Sequence, residues 1–331
     1  NILSKVYKYY MKILAVQNRM GIGDTVIFLP FIKALSKKFD SPISILVKEN
    51  SKADQYLFQT NYIDKILLLE RDKKNNKRHD GFFGSFNLIK DIKKHNFDKI
   101  IIFNSSFRFN LIARLSGIPE IYQYPLFQKT RQHIIDVPKQ FIKDKLGIMV
   151  DEDPEVQIDD ALISNSIEKF KIDKKDELNI LLGIGGSGPT KRIPSRTFLS
   201  FMEKILKIKK CKFFLATGKD NEEQLLLNQI LCSKFKNFCI PLDDFSIKET
   251  LPIIKICDLS ICNDSSFSHL SAALGIKTIT LMADTPLIYG NYSSKMFPII
   301  PEGEQTVTHN TLGKQKINPQ KIFDKAIEIL N

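Results

Sequence analysis

Short apolar runs of four to six residues alternate with longer amphipathic segments along nearly the whole chain, and this alternation constrains the fold more than any other feature. A short, continuously apolar run suits a strand buried on both faces, and strands that alternate with helical patterns build parallel sheets covered by helices. In the first half the expected strands are 12–16, 42–47, 65–69 and 99–103, with helices at 26–39 and 86–95. The stretch 71–78, Arg-Asp-Lys-Lys-Asn-Asn-Lys-Arg, reads as a solvated charged loop. The pattern then restarts: strand 179–184, helix 195–207, strand 212–216, helix 221–235, strand 259–262, helix 267–274 and strand 278–281. An amphipathic helix at 319–330 closes the chain.

At 331 residues there is room for two α/β domains that each bury a core. The expected division is an N-terminal domain over 1–160, a linker region over 161–178 and a C-terminal domain over 179–331. Six acidic residues and Pro154 between 151 and 160, and the charged run 171–177, mark the connection, with a short helix at 161–170 inside it. The last helix is expected to pack back on the first domain.

A composition of 43% apolar and 26% charged residues excludes a disordered or fibrous chain. No apolar run reaches the roughly 18 to 20 residues that cross a bilayer. Residues 1–12 are basic and aromatic and lack the apolar stretch and cleavage site of a signal peptide, so the expected compartment is the cytoplasm. Five cysteines, Cys211, Cys232, Cys239, Cys257 and Cys262, match no zinc or redox spacing and read as reduced thiols.

The net charge of +12 is one-sided: residues 1–150 hold 26 Lys and Arg against 13 Asp and Glu, whereas residues 151–331 hold 23 against 24. A basic first half suits an anionic partner such as a phosphorylated substrate or the surface of an anionic membrane. Nucleic-acid binding would rest on charge alone and is not expected.

Three stretches carry the chemistry. The first comes directly after the first strand: Gly21-Ile-Gly23-Asp24, with both glycines expected in a tight turn and Asp24 at the start of a helix. Ligands bind at this carboxyl end of a strand in open α/β sheets. Two roles are open to Asp24, a helix N-cap or a general base that takes a proton from a hydroxyl. The turn lacks the third glycine of a dinucleotide fingerprint, and no acid is placed for a ribose after the second strand, which argues against a nicotinamide-dependent oxidoreductase.

The second, residues 183–194, is Gly-Ile-Gly-Gly-Ser-Gly-Pro-Thr-Lys-Arg-Ile-Pro. Small residues let backbone amides approach a phosphate, Ser187 and Thr190 add hydroxyls, and Lys191 and Arg192 add charge. The alternative is a solvent-exposed basic turn. It is not a Walker loop, because the Gly-Lys-Ser/Thr order is absent.

In the third, Asn263-Asp264-Ser265-Ser266 caps a helix whose free amides and positive dipole end favour an anion, with His269 one turn in. His269 is either a ligand donor or a packing residue. No second metal-binding side chain lies at ligand spacing from it, so no metal site is expected.

In this order and at these separations the three stretches resemble the bacterial heptosyltransferase family, glycosyltransferase family 9. The anchors are Gly23-Asp24 to Pro30, the Gly-Ser before Lys191-Arg192-x-Pro194, and Asn263-Asp264-Ser265 to His269 leading to Ala272-Ala273-Leu274-Gly275. The resemblance implies the GT-B architecture, two Rossmann-like domains facing each other across a cleft. It further implies a cytoplasmic, inverting, metal-independent enzyme on the inner face of the inner membrane, using a nucleotide sugar, ADP-heptose in the type case, and an anionic or lipid-linked saccharide acceptor. No cofactor is implied.

By the same resemblance, Asp24 is the base beside Gly21 and Gly23 on the acceptor side. Lys191, with Ser187 and Thr190, binds the donor phosphates, Glu222 the ribose, and Asp264, Ser265, Ser266 and His269 the diphosphate and sugar. The chain departs from the family at Ser266, usually Gly, at Met282-Ala283-Asp284-Thr285 in place of Phe-Gly-x-Thr, and at Ile193, often Trp.

Overall fold

The computed structural model describes residues 11–72, 76–126, 133–172 and 176–331. The basic stretch 1–10 and the middles of the charged runs 71–78 and 171–177 lie outside the described residues. The chain divides into two compact units, 1–152 and 153–331.

In the first unit, strands β1 (Ile13–Val16), β2 (Ile43–Lys48), β3 (Ile63–Leu69), β4 (Lys99–Ile102) and β5 (Glu120–Gln123) form one parallel sheet in the order β3-β2-β1-β4-β5. The helices are α1 (Ile22–Phe39), α2 (Ala53–Tyr56), α3 (Gly81–Lys93), α4 (Phe107–Leu115) and α5 (Asp136–Leu146). Side chains alternate across a strand. Leu14, Val16, Leu46, Ile100 and Ile102 accordingly meet Leu88 and Ile92 of α3 and Phe109, Ile112 and Ala113 of α4 in one core. A separate cluster of rings joins α1, the ends of β4 and β5, and α5: Phe28 lies 5.4 Å from Phe103, Phe103 5.8 Å from Phe141, and Phe141 4.9 Å from Tyr124.

The second unit holds β6 (Leu178–Gly183), β7 (Cys211–Ala216), β8 (Cys239–Pro241), β9 (Leu259–Asn263), β10 (Thr278–Leu281) and β11 (Met296–Ile299), parallel and ordered β11-β10-β9-β6-β7-β8. Its helices are α6 (Asp160–Lys169), α7 (Ser195–Leu206), α8 (Asn221–Leu231), α9 (Ile247–Ile256), α10 (Ser266–Ala273) and α11 (Pro319–Leu330). The strand order of each sheet reverses direction beside its first strand, between β1 and β4 and between β6 and β9. The carboxyl ends of those pairs are where such sheets take ligands.

Three features of the second unit differ from the expected division. The unit begins at 153 because the acidic stretch is bound into it: Asp153 accepts the Ser294 amide at 2.9 Å, and the Val156 amide donates to the Ala273 carbonyl at 2.8 Å. Helix α6, read as part of a linker, is capped by Asp159 and packs against α9. Ile322, Ala326 and Ile329 of α11, expected to pack on the first domain, lie in the second unit's own core with Phe198, Phe201 and Ile205 of α7, because the amphipathic helix buries its apolar stripe there. The five cysteines are all free thiols, three of them buried.

Candidate functional site

In the first unit the chain leaves β1 through a turn organised by one buried side chain. Gln17 accepts the Arg19 amide on Oε1 (2.6 Å) and donates from Nε2 to the Asp24 carbonyl (3.2 Å). Gly21 sits at φ 98°, ψ 161°, a region that only glycine occupies without strain, and α1 starts at Ile22. Two expectations change. Gly23 lies inside the helix and has no left-handed backbone, so only Gly21 makes the turn. Asp24 is the third residue of α1 and not its cap, which places a half-buried carboxylate among the free amides of the first turn.

In the second unit β6 runs into an eleven-residue loop, 184–194, before α7 starts at Ser195. The amides of its first two glycines, Gly185 and Gly186, are not open to a phosphate. The Ile184 and Gly185 amides bond the Ala216 carbonyl, and the Gly186 amide donates to Glu223 Oε1 at 2.8 Å. A Cβ on Gly185 would lie 2.5 Å from Glu223 Oε1, and one on Gly218 would lie 2.2 Å from Oε2. The glycines therefore make room for a buried carboxylate, and burial raises its pKa. Arg192 closes the loop from outside, donating to the Gly186 carbonyl (2.9 Å), to Glu222 (2.7 Å) and to Asp220.

Lys191 points elsewhere. Its Nζ lies 2.7 Å from Oδ2 of Asp264, which is 5% exposed at the end of β9. Burial opposes ionisation of Asp264, but the Lys191 charge, with His269 and Thr285, outweighs it and holds the carboxyl below its ordinary range. His269 Nε2 lies 3.8 Å from the other Asp264 oxygen, and Nδ1 shares a 2.7 Å hydrogen bond with the Tyr292 hydroxyl. Burial pushes the His269 pKa down, so the ring is neutral at neutral pH. Asn263 ties the two strand ends together, its Nδ2 donating to the Ile184 carbonyl at 2.7 Å. Thr217 Oγ1 and Asn263 Oδ1 are buried without a hydrogen-bond partner among the described residues, at the same carboxyl edge.

Lys191, Asp264 and His269 thus come together, with Ser265 and Ser266 at the start of α10. Ser187 is exposed and Thr190 half-buried on the outer part of the loop. Glu222 is 62% exposed and belongs to the Arg192 cluster, whereas its neighbour Glu223 is the acid turned inward. Sequence reasoning passed over Glu223 and Tyr292, and gave Arg192 a charge for the phosphate where the structure ties it to Gly186, Asp220 and Glu222. For Glu223 a partial signal existed: Asp220 caps α8 by accepting the Glu223 amide at 3.0 Å, which places Glu223 in the first turn of a helix that starts after the carboxyl end of β7.

A lysine beside a helix start at a strand-order reversal is an arrangement for an anionic ligand. The sequence pattern of Glycosyltransferase family 9 (heptosyltransferase) matches residues 85–297. The chain belongs to glycosyltransferase family 9. Lipopolysaccharide heptosyltransferase 1 of Campylobacter coli is 24% identical over 330 residues, 91% of this chain and 92% of the relative. Among solved structures, the glycosyl transferase family 9 protein of Veillonella parvula is similar with a TM-score of 0.78 at 19% identity, covering 97% of both chains. ADP-heptose lps heptosyltransferase II of E. coli is similar with a TM-score of 0.73 at 16% identity, covering 97% of this chain and 98% of that one. The two parallel sheets of this family 9 glycosyltransferase are those of the GT-B fold.

Proposed function

We propose that the chain is an inverting, metal-independent glycosyltransferase that moves heptose from ADP-heptose to a lipopolysaccharide core or a related anionic saccharide. The observation that carries the reading is the Lys191–Asp264 pair beside α10, at the strand-order reversal of a family 9 chain. The names of the relatives support the donor and the acceptor class.

In this reading the acceptor hydroxyl gives its proton to the Asp24 carboxylate as its oxygen bonds the anomeric carbon of the donor sugar. The bond from that carbon to the diphosphate breaks, and the electron pair leaves on the nucleoside diphosphate. Lys191 and the N-terminus of α10 offset the charge that develops on the leaving group. Asp264 positions the Lys191 ammonium, and neutral His269 is a hydrogen-bonding partner for the sugar or phosphate. The basic first unit attracts the anionic acceptor.

A second reading, another nucleotide sugar used for a capsule, glycan or protein acceptor, is favoured by Ser266 and by the 282–285 departure. In that departure Asp284 is turned to the Leu312 amide at 2.8 Å. Thermal-shift titration with ADP-, GDP- and UDP-sugars separates the two, in the presence and absence of EDTA. The expected result is stabilisation by the ADP-sugar alone, unchanged by EDTA. Stabilisation by none of the three would overturn the transferase reading.

A further inference from the structure

The outer face of α3 and α4 carries large apolar side chains exposed to solvent. Phe82, Phe83, Phe86, Phe107 and Leu115 are each at least half exposed, Phe83 by 81%. Single exposed apolar residues are ordinary, but a contiguous set on two packed helices is not. On α3, Phe82, Phe86, Lys90 and Lys93 fall on the side opposite the buried Gly84, Leu88 and Ile92. On α4, Phe107, Leu111 and Arg114 lie opposite the buried Phe109, Ile112 and Ala113. Both helices pack side by side on one face of the sheet, so the two stripes form one surface.

The surface is held rigidly. Arg78 binds Asp91 through Nε (3.0 Å) and Nη2 (2.7 Å). His79 Nδ1 accepts the Glu70 amide (3.0 Å), so its Nε2 carries the proton and meets Asp91 Oδ2 at 3.2 Å. Arg108 of α4 reaches across to the His79 carbonyl (2.6 Å) and Ser85 Oγ (2.9 Å). Gly84 admits the His79 backbone against α3, since a Cβ there would lie 2.2 Å from its carbonyl carbon. The rings themselves stack edge to face, Phe82 lying 5.0 Å from Phe86.

Charge decides what covers this surface. Residues 77–115 hold eight Lys or Arg against three Asp, and Lys90 and Lys93 share the α3 stripe that bears Phe82 and Phe86. The core of a protein interface is depleted of lysine. A membrane surface takes both groups, rings at the headgroup boundary and lysines against anionic headgroups. We propose that the α3–α4 face docks the enzyme onto an anionic phospholipid membrane, with Phe82, Phe83 and Phe86 entering the interface and Lys90, Lys93 and Arg114 meeting headgroup phosphates. This deepens the reading above, and rests on it only for its purpose, access to a lipid-linked acceptor.

The test uses neither donor nor acceptor. The full chain is sedimented with vesicles of mixed phosphatidylglycerol and phosphatidylcholine, and with phosphatidylcholine alone. Binding to the anionic vesicles, released by salt, is expected. The triple variant Phe82→Ser/Phe83→Ser/Phe86→Ser should lower partition by about tenfold or more, and Lys90→Glu/Lys93→Glu by about fivefold for each lysine removed. Phe238→Ser in the second unit should leave it unchanged. Circular dichroism melting and nucleotide-sugar thermal shift of the triple variant should match wild type, which keeps a failure of docking distinct from a failure of donor binding. Three outcomes overturn the proposal: equal partition of the triple variant, no partition of wild type at low salt, or a wild-type dimer that the triple substitution turns into a monomer.

Discussion

The two units share a strand order and differ in the connection that leaves their first strand. In the first unit β1 is joined to α1 by five residues, and the one acid near the reversal point, Asp24, is half-buried among free helical amides. In the second unit β6 is joined to α7 by eleven residues, and that length holds a network of buried charge: Glu223 under the loop, Arg192 over it, and Lys191 on Asp264. A short turn presents one side chain, whereas a long loop with internal ion pairs presents a charged surface already shaped for an anion. The same topology is thus specialised by a difference of six residues in one connection, with proton transfer proposed for the first unit and charge stabilisation for the second.

The sharpest way to break this division is Asp24→Asn. If Asp24 is the base, turnover should fall by about 10²- to 10⁴-fold while donor affinity stays unchanged, because a base contributes through proton transfer alone. Initial rates and nucleotide-sugar thermal shift measure the two separately. Turnover within a few-fold of wild type would remove Asp24 from the chemistry and leave it a residue of the helix start.

Lys191→Ala addresses the opposite unit. It leaves Asp264 buried without its partner, and a cost on the order of 3 kcal/mol in urea unfolding is expected. Donor KM should rise together with that loss. The pH dependence carries a sign. Asp264 has a lowered pKa in the folded chain, so the pair adds stability above the ordinary carboxyl range that is lost as pH falls through the lowered pKa. Without Lys191, His269 and Thr285 still oppose the effect of burial but less strongly, so the Asp264 pKa should rise and the acid-side loss seen in wild type should shrink. Identical pH profiles for the two proteins would show that Lys191 does not set the charge of Asp264.

Much of both units was legible in the sequence because their central strands are continuously apolar and their long helices are periodic; α11 has the bounds that its pattern gave. Of the edge strands, β3 was legible and β5, β8 and β11 were not. β5 is half exposed, β8 is three residues long and β11 contains Pro298, which a central strand would not tolerate. The start of α1 was misplaced because Gly21-Ile-Gly23 looks like one turn, whereas only the first glycine has the backbone of one. Gly21→Ala and Gly23→Ala sharpen that point: the first should cost about 1–3 kcal/mol, and the second, at a helical position, should cost less than the first and can stabilise. Equal melting temperatures would return both glycines to the turn.

Glu222 and Glu223 are the finest distinction between surface charge and buried charge in the second unit. Adjacent residues of a helix point about 100° apart, so the cap at Asp220 decides which acid turns inward, and no composition rule separates them. Glu223→Ala would leave the Gly186 amide buried without an acceptor, at a cost of about 1–2 kcal/mol. Glu223→Gln keeps an acceptor oxygen and removes a charge that burial disfavours, so its stability relative to wild type should rise as the pH climbs above the ordinary carboxyl range. Glu222→Ala breaks an exposed pair with Arg192 and should shift stability by less than about 1 kcal/mol. Unfolding midpoints of the three variants rank these effects. A larger loss for Glu222→Ala than for Glu223→Ala would mean that the loop is held from its outer face by Arg192 and not from beneath by the buried carboxylate.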